Sequence, residues 1–375
     1  MIELRPASTH RVPILVLIPT EHCNLACDYC FGPPSRRVMD MATVAHTARE
    51  YAELCRVTGS ARATVCWQGG EVMTLHPEWV RDALDCFKEA FAPYPQCTVR
   101  HQLQTNLIAL EPAWIGLIRD SFDGSVGTSL DYPNTSRRLP GQSASDFEAL
   151  WLARYRELVA ADVTVAVIAI VGDSTLAVTP DRFLAHYYET LGVTQLQVNL
   201  PFPSRHRSGP PAGLRPDRFN DVATFMAGLY REWKERYRHR FYGLMPFDLL
   251  EQRLHVPQKA LPCAWETDCT TEIVSVGVDG TVGTCDCWVL SYPDACYGNV
   301  GDGGFVGLLQ GSRRRQLSAR STGLATGVCQ GCRHWSWCHG GCPMRALAWR
   351  GSAEAQDPYC CVYQAVFDEL RGITD

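Results

Sequence analysis

The sequence predicts an α/β protein in which a parallel sheet covered by helices is followed by a smaller, cysteine-rich domain. Three observations carry this. From Pro13 to about Asn199, short β-rich runs alternate six times with amphipathic helical stretches. The runs are apolar along their length, as parallel strands covered on both faces are. From Cys263 onward the composition shifts to Gly, Cys and Trp, with few long periodic segments.

Taken in order, the expected strands are 14–18, 63–67, 98–104, 124–130, 163–171 and 194–199. Each is rich in Val, Ile, Leu or Thr, whose branched side chains suit a pleated, buried surface. Between them, 41–57, 77–90, 146–160 and 180–191 carry apolar residues at helical spacing, two of them opening on Pro77 and Pro180. Residues 201–213, rich in Pro and Gly, are expected to form a long loop, and a helix over 218–236 follows it. An irregular bridge is expected over 236–262, giving domains at 1–235 and 263–375. Such a C-terminal domain has little apolar core of its own, so metal sites are expected to supply part of its stability.

Bulk properties exclude several classes. The chain has 375 residues, 46% hydrophobic and 20% charged, with a formal net charge of −5, so nothing favours nucleic-acid binding. The basic run Arg313–Arg315 is expected in a solvated loop. No apolar run approaches the roughly 18 residues of a membrane span. Arg5 and Arg11 precede 14–18, but that run is too short for a signal peptide. A cytoplasmic protein is expected, with no membrane or nucleic-acid partner.

Eighteen cysteines are the anomaly. Many fall at metal-ligand spacings, which favours metal–thiolate sites in a reducing compartment over a disulfide scaffold. Directly after the first strand stands Cys23-Asn-Leu-Ala-Cys27-Asp-Tyr-Cys30. Three thiolates hold three irons of a cubane and leave the fourth open, whereas electron-transfer clusters normally have four. Zinc is the alternative, with Glu21 or His22 completing the set. After Leu261 come Cys263, Cys269, Cys285, Cys329, Cys332, Cys338, Cys342 and the pair Cys360-Cys361. A zinc ribbon over 329–342 is possible on spacing alone. Cys55, Cys66, Cys86, Cys97, Cys287, Cys296 and Cys361 fit no set, and buried packing is their default.

The motif Cys23-x3-Cys27-x-Tyr29-Cys30 resembles that of the radical S-adenosylmethionine (SAM) superfamily, and the C-terminal pattern resembles the SPASM domain. The resemblance implies a partial (β/α)6 TIM-like barrel followed by a SPASM domain, with three [4Fe–4S] clusters and SAM as cofactors. In that family the amino and carboxylate groups of SAM chelate the open iron, and the reduced cluster splits SAM to a 5′-deoxyadenosyl radical that takes hydrogen from substrate. By resemblance the first auxiliary cluster uses Cys263, Cys269, Cys285 and Cys342, and the second Cys329, Cys332, Cys338 and Cys360. Cys360 is preferred to Cys361 because Tyr359-Cys-x2-Tyr363 resembles the family's closing segment. Gly280 suits a hairpin turn that delivers Cys285.

Gln68-Gly69-Gly70-Glu71 resembles the family's GGE segment, whose glycines admit the SAM methionine and whose carboxylate accepts from its amino group. Thr105, Asn106 and Ser129 resemble polar strand ends that face SAM, as does Asp131, and Arg138 resembles a contact to its carboxylate or ribose. Strand-terminal capping is the bland account of these residues.

Cys285-Asp286 resembles the pair in anaerobic sulfatase-maturating enzymes, where the aspartate is the proposed base. Gln68 and Leu196 occupy positions resembling substrate contacts of that group. The resemblance implies oxidation of a peptide Cys or Ser at Cβ to formylglycine, with Asp286 taking the thiol or hydroxyl proton and an auxiliary cluster accepting the electron. A flavodoxin- or ferredoxin-type donor would supply reducing equivalents. Departures exist: Val72 stands where those enzymes carry Pro, and 202–216 matches nothing in the group. Related architectures cross-link ribosomal peptides or dehydrogenate small sugars and aminocyclitols. A non-catalytic iron–sulfur or zinc protein is the reading from outside the class.

Overall fold

A computed structural model describes residues 12–206, 215–257 and 259–372. The first repeat is β1 (Ile14–Leu17) and α1 (Met41–Thr58), joined by the long cysteine-bearing loop. Then follow β2 (Arg62–Trp67), α2 (Pro77–Phe91), β3 (Thr98–Leu103), α3 (Pro112–Ser121), β4 (Ser125–Ser129), α4 (Ala144–Ala160), β5 (Thr164–Ile170), α5 (Pro180–Ala185) and β6 (Gln195–Asn199). The helix ends follow capping chemistry. Asp40 accepts from the Thr43 N–H at the start of α1, and Gly59 ends it at φ 66°. Ser143 and Asp146 form a reciprocal capping box on α4.

The six expected strands are all present, and each pairs in parallel with the next. β1 to β3 form one run and β4 to β6 another, joined by a parallel bridge between Gln104 and Gly127. Parallel pairing puts all six C-terminal ends at one rim, where the loops carrying Cys23, Gln68, Thr105 and Ser129 gather. The sequence reading missed α3, and its helix over 180–191 is α5 continued by a wider π turn, His186–Thr190.

Three expectations need correction. The bridge over 236–262 is not irregular: after α6 (Phe219–Arg236) come β7 (Gly243–Met245) and α7 (Phe247–His255), and β7 extends the sheet in parallel beside β6. A three-residue strand gives too short a period to detect in sequence. Second, the C-terminal region does have a core. Its first strand, β8 (Ile273–Val276), pairs in parallel with β1, Leu15 opposite Val274, and continues into β9 (Thr281–Gly283) through the hairpin at Gly280, φ 81°. Buried Trp265, Val274, Trp288, Tyr359 and Phe367 belong to one apolar cluster with barrel residues such as Leu15, Trp67 and Val167. The expected hairpin is thus an extension of the barrel sheet. Residues 207–214 of the expected long loop lie outside the described residues.

The remaining elements are α8 (Asp286–Ser291), β10 (Gly298–Asn299), α9 (Gly304–Leu309), α10 (Ser312–Thr326), α11 (Trp335–Cys338), α12 (Pro343–Arg350) and α13 (Cys360–Arg371). The third correction concerns Arg313–Arg315, which open helix α10 and donate to backbone carbonyls of Asp294, Leu309 and Gln310. α13 lies along α6 and fastens the C-terminus to the barrel.

Candidate active site and cysteine sets

The loop after β1 is shaped by backbone. Ala26 and Asp28 N–H donate to the carbonyls of Arg138 (2.8 Å) and Ser136 (3.1 Å), and Cys30 N–H reaches back to Cys27. Cys23, Cys27 and Cys30 lie close enough for their sulfurs to act on one another electrostatically. Burial pushes Cys23 up to about 12, and the neighbouring sulfurs of Cys27 and Cys30 add to the effect. Thiolate ligands need countercharge, so metal binding here would release protons. Glu21, a candidate zinc ligand, is 8% exposed and held by Arg37 at 2.6 and 2.9 Å. Glu21 could therefore complete a zinc site only by giving up its pair with Arg37.

Gly69 and Gly70 pack against this loop. A Cβ on Gly70 would lie 2.2 Å from the His22 carbonyl oxygen, and one on Gly69 2.4 Å from that of Thr20. Gly70 and Glu71 N–H donate to Thr20 (2.8 Å) and His22 (2.7 Å). The room the glycines leave is therefore filled by the protein's own cysteine loop. Glu71, 2% exposed, accepts from Met73 N–H (2.9 Å), Thr105 hydroxyl (2.6 Å) and Asn106 N–H (2.6 Å). It ties the end of β2 to the end of β3. Burial raises its proton affinity, and these donors lower it. Asn106 turns its amide to Asn24 (2.7 Å) and towards the Cys23 sulfur (3.9 Å), so the third strand end also braces the loop.

Ser129 accepts from Gln104 at 3.2 Å. Tyr29 donates to Asp131, whose other oxygen accepts from Ile170 N–H at 3.0 Å. Of the two adjacent arginines, Arg138 is half-buried and pairs with Asp28. Arg137, 9% exposed, pairs with Asp131 at 3.2 Å, lies over the Tyr29 ring, and counts among the charges acting on Cys27. The sequence reading overlooked Arg137, since two consecutive residues in a loop give no periodicity to say which points inward.

Asp286 begins α8, and its carboxylate accepts from the Gln68 amide at 2.5 Å across 218 residues of sequence. Burial pushes this carboxyl above the usual carboxylate range, while the Cys287 N–H pulls it back. Leu196 lies mid-strand in β6, 2% exposed, opposite Val167 and Leu244 as a core side chain.

The C-terminal cysteines gather in two groups. Cys263, Cys269, Cys285 and Cys342 are mutual neighbours; burial pushes the Cys269 thiol up, and the sulfurs of Cys263, Cys342 and Cys285 add to that. Cys287 joins them, its sulfur within 4.8 Å of Cys285 Sγ and an Asp286 oxygen. The Cys-x-Cys spacing was the available signal for that fifth thiol. Cys329, Cys332, Cys338 and Cys360 line one small cavity with His334, Trp335, Gly340, Gln356 and Gln364. Cys361 is absent from that lining, and the amides of Gln356 and Gln364 both donate to the Cys360 sulfur at 3.2 Å. Four thiols around a common space, with no carboxylate among them, fit a fully ligated cluster.

No family model matches the chain. It is 23% identical over 365 residues to the cysteine-type anaerobic sulfatase-maturating enzyme of Clostridium perfringens, covering 95% of each. To the serine-type enzyme of Klebsiella aerogenes it is 27% identical over 233 residues, 57% of this chain and 52% of that one. The structure of native anSMEcpe with bound AdoMet and the Cp18Cys peptide superposes with TM-score 0.79, at 21% identity over 96% of this chain and 97% of that one. Along nearly its whole length this chain is similar in sequence and in fold to anaerobic sulfatase-maturating enzymes. It has the α/β fold of the sulfatase-maturating relatives, with the cysteine-rich region at its C-terminus. Among the described residues, no helix is long and apolar enough to cross a membrane.

Proposed function

We propose that this chain is a radical SAM enzyme that oxidises or cross-links a side chain of a peptide or protein. The observation that carries the reading is Asp286, fixed by Gln68 over the rim of the barrel beside Cys285. Cys23, Cys27 and Cys30 would hold the cluster that binds SAM, and the two C-terminal sets would hold auxiliary [4Fe–4S] clusters, three in all. When bound, SAM and its reduced cluster supply a hydrogen-abstracting 5′-deoxyadenosyl radical, and the auxiliary clusters supply an electron acceptor.

The chain's own contribution is positioning and proton transfer. A carboxylate at Asp286 can take the proton of a substrate thiol or hydroxyl placed against it, as a general base does. The Gln68 amide fixes one oxygen of that carboxylate, and the Cys287 N–H helps hold the group at the start of α8. Glu71, Asn106 and Arg137 keep the cysteine loop in place beneath it. Kinship with peptide-modifying maturases supports a peptide substrate, and a flavodoxin- or ferredoxin-type protein is the proposed electron donor.

The test is anaerobic incubation of the reconstituted chain with SAM, dithionite and peptides bearing Cys or Ser. Formation of 5′-deoxyadenosine together with a mass change in the peptide is expected. Deoxyadenosine that forms while every peptide stays intact, with a sugar or aminocyclitol consumed instead, sinks the peptide reading. Asp286→Asn is expected to cut product formation by about 100-fold or more while deoxyadenosine still forms. Unchanged product formation would remove Asp286 as base.

A further inference from the structure

Among the described residues three arginines are nearly buried: Arg137, Arg320 and Arg345, at 9%, 8% and 3% exposure. Two have a carboxylate, Arg137 with Asp131 and Arg345 with Asp357. Arg320 has none within ion-pair distance among the described residues. Its guanidinium donates only to carbonyl oxygens: Gly341 at 2.8 Å, Gly340 at 2.8 Å and Ala355 at 2.7 and 3.3 Å. Carbonyl dipoles satisfy its donors but leave its charge uncompensated, and a buried uncompensated charge is costly.

Its position shows where the missing charge belongs. Gly340 and Gly341 are the stretch between Cys338 of the second auxiliary set and Cys342 of the first, and Gly340 lines the cavity of the second set. Helix α10, which carries Arg320, packs on its other side against the turn Cys269–Thr271 of the first set. Asp357 is the nearby carboxylate, but its Oδ2 is taken by Arg345 and the Cys342 N–H. Burial works against the charge on Arg320, and the sulfurs of Cys342, Cys269 and Cys338 are among the groups that favour it.

We infer that Arg320 is the shared counter-charge of the two auxiliary sets, holding both clusters at higher reduction potential than the thiolates alone would allow. This rests on the cluster reading given above. A cluster bound by four thiolates is anionic in both oxidation states and more so when reduced. A fixed cation between two such clusters stabilises the reduced form of each, and nearby charge is one of the levers that set these potentials.

The experiment is a potentiometric titration of the reconstituted full-length chain, followed by electron paramagnetic resonance, for wild type, Arg320→Gln and Arg320→Lys. Arg320→Gln is expected to shift the reduced-to-oxidised ratio of at least one auxiliary cluster by about tenfold, which is 59 mV to lower potential for a one-electron couple. The signal of the N-terminal cluster should stay where it is. Arg320→Lys keeps the charge without the fork and should keep most of the wild-type potential. If Arg320→Gln cannot retain auxiliary iron while Arg320→Lys does, the charge is again the requirement. Lys and Gln variants that behave alike, in potential or in iron retention, would overturn the inference and leave Arg320 as a brace. A wild-type chain holding about four irons in place of about twelve would sink the cluster reading itself.

Discussion

Asp357 joins the two halves of the C-terminal region, and replacing it with Asn tests how. The side chain is 1% exposed. Its Oδ2 accepts from the Cys342 N–H (2.8 Å) and from Arg345 Nε (3.0 Å) and Nη2 (2.8 Å), while Oδ1 accepts from the Tyr359 N–H (3.0 Å). One carboxylate thus fixes Cys342 of the first auxiliary set and the residue before Cys360 of the second. An Asn can present its oxygen to only one side. Whichever way it turns, its NH2 faces a buried donor, which costs about 1–3 kcal/mol. Arg345 also loses the one carboxylate it pairs with among the described residues, and breaking a buried ion pair on one side costs about 3–5 kcal/mol. The two costs overlap, so Asp357→Asn is expected to lower stability by about 3–5 kcal/mol, measured by urea unfolding of the cluster-loaded chain under argon.

Two controls sharpen this. The exposed pair Arg56–Glu53 should give no resolvable loss of stability on Glu53→Gln. Adding Arg345→Met to Asp357→Asn removes the stranded cation and should recover at least about 1 kcal/mol relative to additivity. The Asp357→Asn effect should persist at about 1 M salt, because a buried pair is poorly screened. A loss below about 1 kcal/mol, or one that salt abolishes, would refute the claim that this pair braces both sets.

Further expectations follow from single positions. Cys360→Ser should lower bound iron by about a third, the share of one cubane in three, and Cys361→Ser should leave it unchanged; the opposite pattern would reassign the ligand. Gly70→Ala places a methyl 2.2 Å from a backbone oxygen of the cysteine loop, so it should cost the N-terminal cluster its iron and its SAM-dependent spectroscopic signal. Full retention of both would show that the turn can shift. Burial among Trp67, Phe87 and Phe122 holds His101 down at about 4, with Trp67 Nε1 donating to its Nδ1 at 3.0 Å. Between that value and about 6.5 the unfolded chain binds a proton that the folded chain refuses. Stability from this site is therefore complete above about pH 6.5 and declines as pH falls, by about 2 kcal/mol at pH 5. His101→Gln should flatten that part of the unfolding profile, and an unaltered slope would assign it elsewhere.

Much of this molecule was readable in one dimension because its signals are local. A β/α repeat declares itself through periodicity, and all six expected strands are found at their places. Ligand sets written as Cys-x2-Cys or Cys-x3-Cys are fixed by short chain geometry, which is why the three groups could be drawn up from spacing and resemblance. Gly69 and Gly70 were also identifiable as positions of close backbone approach. The sequence shows that no side chain is wanted there; only the packing shows that the Thr20–His22 backbone fills the space.

What tertiary structure alone decided is which groups meet, and which of two neighbours faces inward. Cys360 and Cys361 are consecutive on one helix, about 100° apart around its axis, so only the docking of α13 turns the first towards the cavity. The same holds for Arg137 over Arg138, where charge and type are identical and burial makes the difference. Asp286 meets Gln68 because β8 pairs with β1 and carries α8 across the barrel rim, a contact spanning 218 residues that no local pattern encodes. Arg320 is one arginine among many in the sequence. It becomes a buried cation, paired with no carboxylate among the described residues, only when α10 is laid against Gly340 and Gly341 between Cys338 and Cys342.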